Sequence, residues 1–174
     1  MARVEVDYRD HFRLIAEGLQ NGGLMLVAVG TDGRANPMTI GWAFAGPAWG
    51  RQVFVALVRP SRFTYGLMEA TGDFTVNVMA PGYEKALSYC GSKSGRDGDK
   101  LAASGLTGVP GRIVKAPSLA EATLTLECRV VEKTDLNPET MDSAVMQLGY
   151  PKGDFHRLYF GEIVGAYADP DRLG

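Results

Sequence analysis

Apolar residues recur along the chain with two periods, and the change from one to the other marks its elements. Tyr8, Phe12, Ile15 and Leu19 are spaced by three and four residues. That spacing predicts an amphipathic helix over 7–23, with Asp7 as N-cap and Gly22 as the stop. "LMLVAVG" (24–30) is apolar on both faces and reads as a buried strand. Asp32-Gly33 then suits a tight hairpin turn, which needs positive φ, and "ANPMTIGWAFAG" (35–46) is the return strand. "QVFVALV" (52–58) is a third strand. Ser61 is expected to cap a short helix, with Phe63, Leu67 and Ala70 on one side and Gly72 ending it. "DFTVNVM" (73–79) alternates as a half-buried strand, and "PGYEKALSYC" (81–90) reads as a helix with Pro81 near its first turn. The charged, glycine-rich run 91–100 is a loop that leads into a helical turn at "DKLAASG".

The regular alternation of "ATLTLECRVVEKT" (122–134) predicts a strand. Leu124, Leu126, Cys128 and Val130 face one way and Thr123, Thr125, Glu127 and Arg129 the other. Asn137 and Pro138 would open a helix, and "HRLYFGEIVGAYA" (156–168) closes the chain as a strand with a bulge at Gly161. Five or six strands with a hairpin and short helices imply a mainly β, antiparallel Greek-key barrel with helices on its rim. A doubly wound sheet fits less well, because strands and helices do not alternate regularly.

Composition narrows the class without naming a chemistry. The chain has 174 residues, 45% hydrophobic and 22% charged, with formal net charge -2. At that length folding buries roughly 70% of the unfolded surface, so one domain over 1–174 is expected. No basic footprint points to nucleic acid. The apolar runs are too short to span a membrane, and the N-terminal residues show no apolar signal region, so a cytoplasmic protein is expected. Two cysteines, Cys90 and Cys128, make no disulfide framework, and His11 and His156 offer no metal spacing.

Candidate chemistry gathers in a few stretches. In "RPSRFT" (59–64) two arginines, a serine and a threonine meet a predicted helix N-terminus, where free N–H groups suit a phosphate. An ordinary capped helix with solvated arginines is the commoner reading of those residues alone. The loop "CGSKSGRDGDK" looks like a phosphate cradle, but Gly95 is followed by Arg96 and Asp97 rather than Lys-Ser, so it is not a nucleotide P-loop; a solvated loop is the plain alternative. A dinucleotide fingerprint is absent, since "GLTGVPG" (105–111) has the wrong spacing. In "NPMTIGW" (36–42), Asn36 and Thr39 are polar in an apolar strand, and Gly41 would let a ligand approach the backbone.

Taken in order, "NPMTIGW", "RPSRFTYGLMEATGDFTVNV", "YCGSKSGRDGDK" and "HRLYFGEIV" resemble the flavin reductase-like proteins of the FMN-binding split-barrel superfamily, particularly the flavoredoxin and archaeal ferric reductase group. The likeness runs from about residue 20 to residue 167. It implies a six-stranded antiparallel barrel, usually a homodimer, with FMN as cofactor and NAD(P)H as co-substrate. Arg59, Ser61, Arg62 and Thr64 would surround the FMN phosphate. Asn36, Met38, Thr39, Ile40 and Gly41 would line the ribityl chain and ring, largely through main-chain groups. Cys90, Gly91, Ser92, Ser94 and Lys100 would pack from the second loop, and His156 would lie on the nicotinamide side. The implied activity is NAD(P)H-dependent flavin or ferric reduction by hydride transfer to flavin N5, with a small-molecule or protein electron acceptor. Two alternatives remain: a flavoredoxin-like FMN electron carrier without NAD(P)H turnover, and a non-catalytic split barrel that binds haem or another ligand. The connection 137–155 is longer than in the compact ferric reductases and could cover the open flavin face.

Overall fold

A computed structural model describes residues 3–173. The seven longer strands are β2 (Leu24–Val29), β3 (Ala35–Ile40), β4 (Ala43–Ala48), β5 (Arg51–Val58), β6 (Asp73–Met79), β9 (Ala122–Asp135) and β10 (Arg157–Ala168). They form one antiparallel sheet in the order β3-β2-β6-β9-β10-β5-β4, and the short β1 (Val4–Glu5) pairs with β10. The sheet path is open, with β3 and β4 at its ends. Yet only Gly41 and Trp42 separate those two strands in the chain. The sheet must therefore curl until its ends meet. Six strands, β2, β3, β5, β6, β9 and β10, form the barrel wall; β4 is a hairpin partner of β5, and β3 and β5 face each other without a ladder.

The predicted single strand 35–46 is thus two strands at opposite ends of the sheet. Its apolar pattern is unbroken, so periodicity carries no trace of the corner. Helices α1 (Phe12–Gln20), α2 (Phe63–Thr71), α3 (Glu84–Ser92), α4 (Lys100–Ser104) and α5 (Ser143–Gly149) lie on the rim. Leu24, Leu26 and Ala28 point into the barrel core with Phe54, Phe74 and Leu126, whereas Met25 and Val27 pack outward beneath α3 with Ala86, Leu87 and Cys90. Both faces of β2 are covered, which explains its continuous apolar run.

Several boundaries differ from the periodicity. Asp7 caps a 3-10 turn, Tyr8–His11, that feeds α1, and Phe12 is exposed instead of sharing the face of Tyr8 and Ile15. Pro81 precedes α3 by three residues. Asn137 caps only a short 3-10 turn, and Asp142 caps α5, accepting from the N–H groups of Ala144 (2.9 Å) and Val145 (3.2 Å). Gly72 ends α2 at φ 70°, and the ladder shifts register between Phe160 and Gly161, both as expected.

The polar face of β6 and β9 is buried, not solvated. Residues 105–119, including the hairpin of β7 (Gly108–Val109) and β8 (Ser118–Leu119), cover it. Asn77 Oδ1 accepts from the Leu119 N–H (3.1 Å) and the Thr125 hydroxyl (2.8 Å), and Thr75 donates to the Pro117 carbonyl (2.7 Å). Glu127, 1% exposed, accepts three main-chain N–H bonds, from Arg112 (2.7 Å), Ile113 (2.7 Å) and Val114 (3.0 Å). These bonds satisfy the buried polar row, as burial requires.

Candidate functional site

The split end of the barrel carries two adjoining hollows. The first, of about 220 Å³, is lined by Met38, Thr39, Ile40, Gly41, Trp42, Leu57, Val58, Arg59, Arg62 and His156. The second, of about 130 Å³, is lined by residues of β3, the N-terminal turn of α2, the end of α3 and the loop before α4, among them Asn36, Thr64, Ser94 and Arg96. Met38 and Arg62 belong to both, so the two are continuous. Every residue expected from the sequence lies on one wall or the other: Met38, Thr39, Ile40, Gly41, Arg59, Arg62 and His156 on the first, and Asn36, Met38, Ser61, Arg62, Thr64, Cys90, Gly91, Ser92, Ser94 and Lys100 on the second.

Met38, Thr39, Ile40 and Gly41 line the first hollow on the β3 side. Thr39 turns its hydroxyl away, donating to the Leu87 carbonyl (2.6 Å). A Cβ at Gly41 would meet no atom within 4 Å, so the space beside that backbone is not filled by protein. His156, 8% exposed, has its Nδ1 2.6 Å from the Tyr150 hydroxyl and its ring centroid 5.1 Å from that of Trp42. Burial lowers its pKa to about 4; Arg59 and Arg62 add to the fall and Asp154 opposes it. The imidazole is therefore neutral near pH 7.

The second hollow is a polar cradle. Asn36 Nδ2 donates to Thr64 Oγ1 (2.8 Å), which leaves the threonine hydroxyl proton free to donate. The glycine-rich loop is pinned, not solvated. Arg34 donates to the carbonyls of Gly95 (2.6 Å) and Gly98 (2.9 Å), Arg96 donates to that of Ser61 (3.0 Å), and both guanidiniums lie over the Phe63 ring. Gly95 is required there, because an added Cβ would overlap Asn36 Oδ1 and stand 2.5 Å from Phe63. Lys100 is buried and donates to the Cys90 carbonyl (2.7 Å) near the end of α3, where a cation suits the helix dipole. Burial lowers the Lys100 pKa and raises that of the Cys90 thiol. Ser92 donates back to the Ser88 carbonyl (2.9 Å).

Two expectations about "RPSRFT" need correction. The N-cap of α2 is Arg62, without a side-chain cap bond. Ser61 instead donates from its hydroxyl to Asp154 Oδ2 (2.5 Å) and from its N–H to Asp154 Oδ1 (3.2 Å). Arg59 does not join the cradle. Its guanidinium donates to the carbonyls of Gly149 (2.7 Å) and Asp154 (3.0 Å) and lies over the Tyr150 ring, 4.9 Å from the centroid. Arg59 therefore ties the 149–154 segment to the barrel beside His156. Of the expected quartet, Arg62 and Thr64 retain free donors; among the described residues the Arg62 side chain makes no hydrogen bond or ion pair. Sequence reasoning missed Trp42, Leu57, Phe63 and Arg96. Trp42 sits at the corner between β3 and β4, a place visible only once the corner is known. The same reasoning set Arg96 aside when the run failed the P-loop spacing.

An arginine whose side chain has no partner among the described residues, standing where a hydroxyl-lined cradle meets the hollow lined by residues 38–41, suits an elongated ligand with an anionic end. Among the described residues no cluster of three or more His, Cys, Asp or Glu side chains could hold a metal ion, and no helix is long and apolar enough to cross a membrane.

The flavin reductase-like domain profile matches residues 19–174, so the chain belongs to the flavin reductase-like family. An uncharacterized protein of Archaeoglobus fulgidus is 30% identical over 67% of this chain and 64% of its own length, and one of Pyrococcus abyssi is 32% identical over 67% and 66%. The matched region thus spans about two-thirds of those curated relatives. Among solved structures, flavoredoxin from Methanosarcina acetivorans superposes with TM-score 0.69 at 29% identity, covering 87% of this chain and 71% of that one. Flavoredoxin of Desulfovibrio vulgaris gives 0.70 at 24% identity with the same coverages, a likeness of fold: the split barrel.

Proposed function

We propose that the two hollows together bind FMN and that the protein is an FMN-dependent oxidoreductase, an NAD(P)H-dependent flavin or ferric reductase. The observation that carries this reading is Arg62, which lines both hollows and whose side chain has no hydrogen-bond or ion-pair partner among the described residues. The guanidinium would neutralise the phosphate, with the Thr64 and Ser94 hydroxyls beside it. Ser61 shares in this only if its donors turn from Asp154. Main-chain groups from Met38 to Gly41 would line the ring. The bound flavin would accept a hydride at N5 from NAD(P)H and supply the electrons for the acceptor. The chain contributes orientation and polarity: His156 stays neutral, and in the tautomer in which Tyr150 donates to its Nδ1 the proton on Nε2 makes it a donor.

A homodimer belongs to this reading. β4 is an edge strand, and Phe44 and Trp49 stand exposed on it and its turn, the latter 63% exposed, as a covered interface would require. A cytoplasmic location and a small-molecule or protein acceptor complete it. The test is ligand titration of Arg62→Ala. Loss of one charge-assisted bond, about 1.5–3 kcal/mol, should weaken FMN roughly 10- to 100-fold and leave riboflavin nearly unchanged. Equal loss for both ligands would refute the phosphate assignment.

The flavoredoxin likeness favours one second reading, an electron carrier that holds FMN without turning over NAD(P)H. Anaerobic addition of NADH and NADPH to the FMN-loaded protein separates the two. Bleaching of the flavin within the assay supports the reductase; a persistent oxidised spectrum supports the carrier.

A further inference from the structure

A third hollow, of about 470 Å³, opens beside the first and shares Trp42 and Leu57 with it. Residues 136–150 build its outer side. Its walls include Trp42, Leu57, Leu136, Met141, Val145 and Tyr150, and no Asp, Glu, Lys, Arg or His lines it. The volume lies within the range of small-molecule sites. The reason for the void is local. α5 has seven residues, none of them buried, so it does not seat its apolar side chains in the core. Val145 stands half exposed and Leu148 is 88% exposed at the hollow's edge.

The back wall is fixed. Arg59 donates to the Gly149 carbonyl and lies over Tyr150, while the edge of Trp42 comes within 3.3 Å of where a Cβ on Gly149 would stand. The lining carries no acidic or basic side chain, and Arg59, behind Tyr150, has its guanidinium engaged by the Gly149 and Asp154 carbonyls, so a charged ligand would find no free counter-charge. Two aromatic side chains, Trp42 and Tyr150, offer ring surface, and Asn137 and Thr140 offer neutral hydrogen-bonding groups.

We propose that this hollow binds an uncharged aromatic small molecule, held between α5 and Trp42. Binding there does not depend on FMN. The proposed function adds only its use, since such a ligand would sit next to the hollow assigned to the flavin and could serve as its electron acceptor.

Calorimetric titration of the purified full-length protein with acetophenone, and with benzoate as a charged analogue of similar size, tests the proposal. Acetophenone should bind saturably and benzoate at least about tenfold more weakly. Met141→Trp, which fills the hollow, and Val145→Asp, which charges a half-exposed wall, should each weaken acetophenone at least about tenfold while FMN titration is unchanged. Arg62→Ala should do the reverse, so failure of the flavin reading and failure of this one are distinguishable. Acetophenone binding that survives both wall variants overturns the proposal. So does the absence of saturable acetophenone binding to the wild-type protein.

Discussion

Acidification should weaken the fold through His156 by an amount the structure sets. The ring is buried against Trp42 and Tyr150, with Arg59 and Arg62 as nearby cations and Asp154 as the opposing anion. Its pKa falls from 6.5 to about 4. Between those values the unfolded chain binds a proton that the folded ring does not, so stability rises with pH across the window and is lost as pH falls through it. The full difference is worth about 3 kcal/mol, and about 2 kcal/mol of it is lost between roughly pH 7.5 and pH 5. Urea unfolding of the wild type and of His156→Gln at both pH values isolates this contribution, because every other titrating group is common to the two. The wild type should lose about 2 kcal/mol more than the variant over that interval. Equal losses would show that the imidazole titrates alike in both states, and the neutral imidazole assigned to the first hollow would fall with it.

Three further outcomes follow from close contacts. Glu127→Ala removes the acceptor for three main-chain N–H groups and should cost about 3–5 kcal/mol, read as a lowered urea midpoint; a change under about 1 kcal/mol would mean that water replaces the carboxylate. Gly95→Ala drives a methyl into Asn36 and Phe63 and should weaken FMN at least about tenfold in titration, because the cradle's loop must move. Unchanged affinity would separate that loop from the ligand. Gly161→Ala would place its Cβ 2.5 Å from Phe74 and 2.9 Å from the Cys128 Cβ inside the core, and thermal denaturation should show a loss of about 1–3 kcal/mol. An unchanged transition would mean that the bulge absorbs the methyl freely.

Alternation and turn chemistry are local, so the residues alone carried most of the strands, the left-handed end of α2 at Gly72 and the bulge at Gly161. The motifs, read in order, also carried the family and many of the residues that line the two hollows, though not Trp42, Leu57, Phe63 or Arg96. Tertiary contact decided the rest. The corner at Gly41–Trp42 leaves no mark in an unbroken apolar run, because both strands it joins are apolar. The polar row Thr75, Asn77, Thr125 and Glu127 reads as solvent-facing, since alternation reports two faces and cannot say what covers each; here residues 105–119 do. Arg59 and Arg62 stand three residues apart in one motif and look alike. Only the position of the 149–154 carbonyls engages the first, while the second has no side-chain partner among the described residues, and a side chain's partner is a property of three-dimensional neighbours that spacing along the chain does not encode.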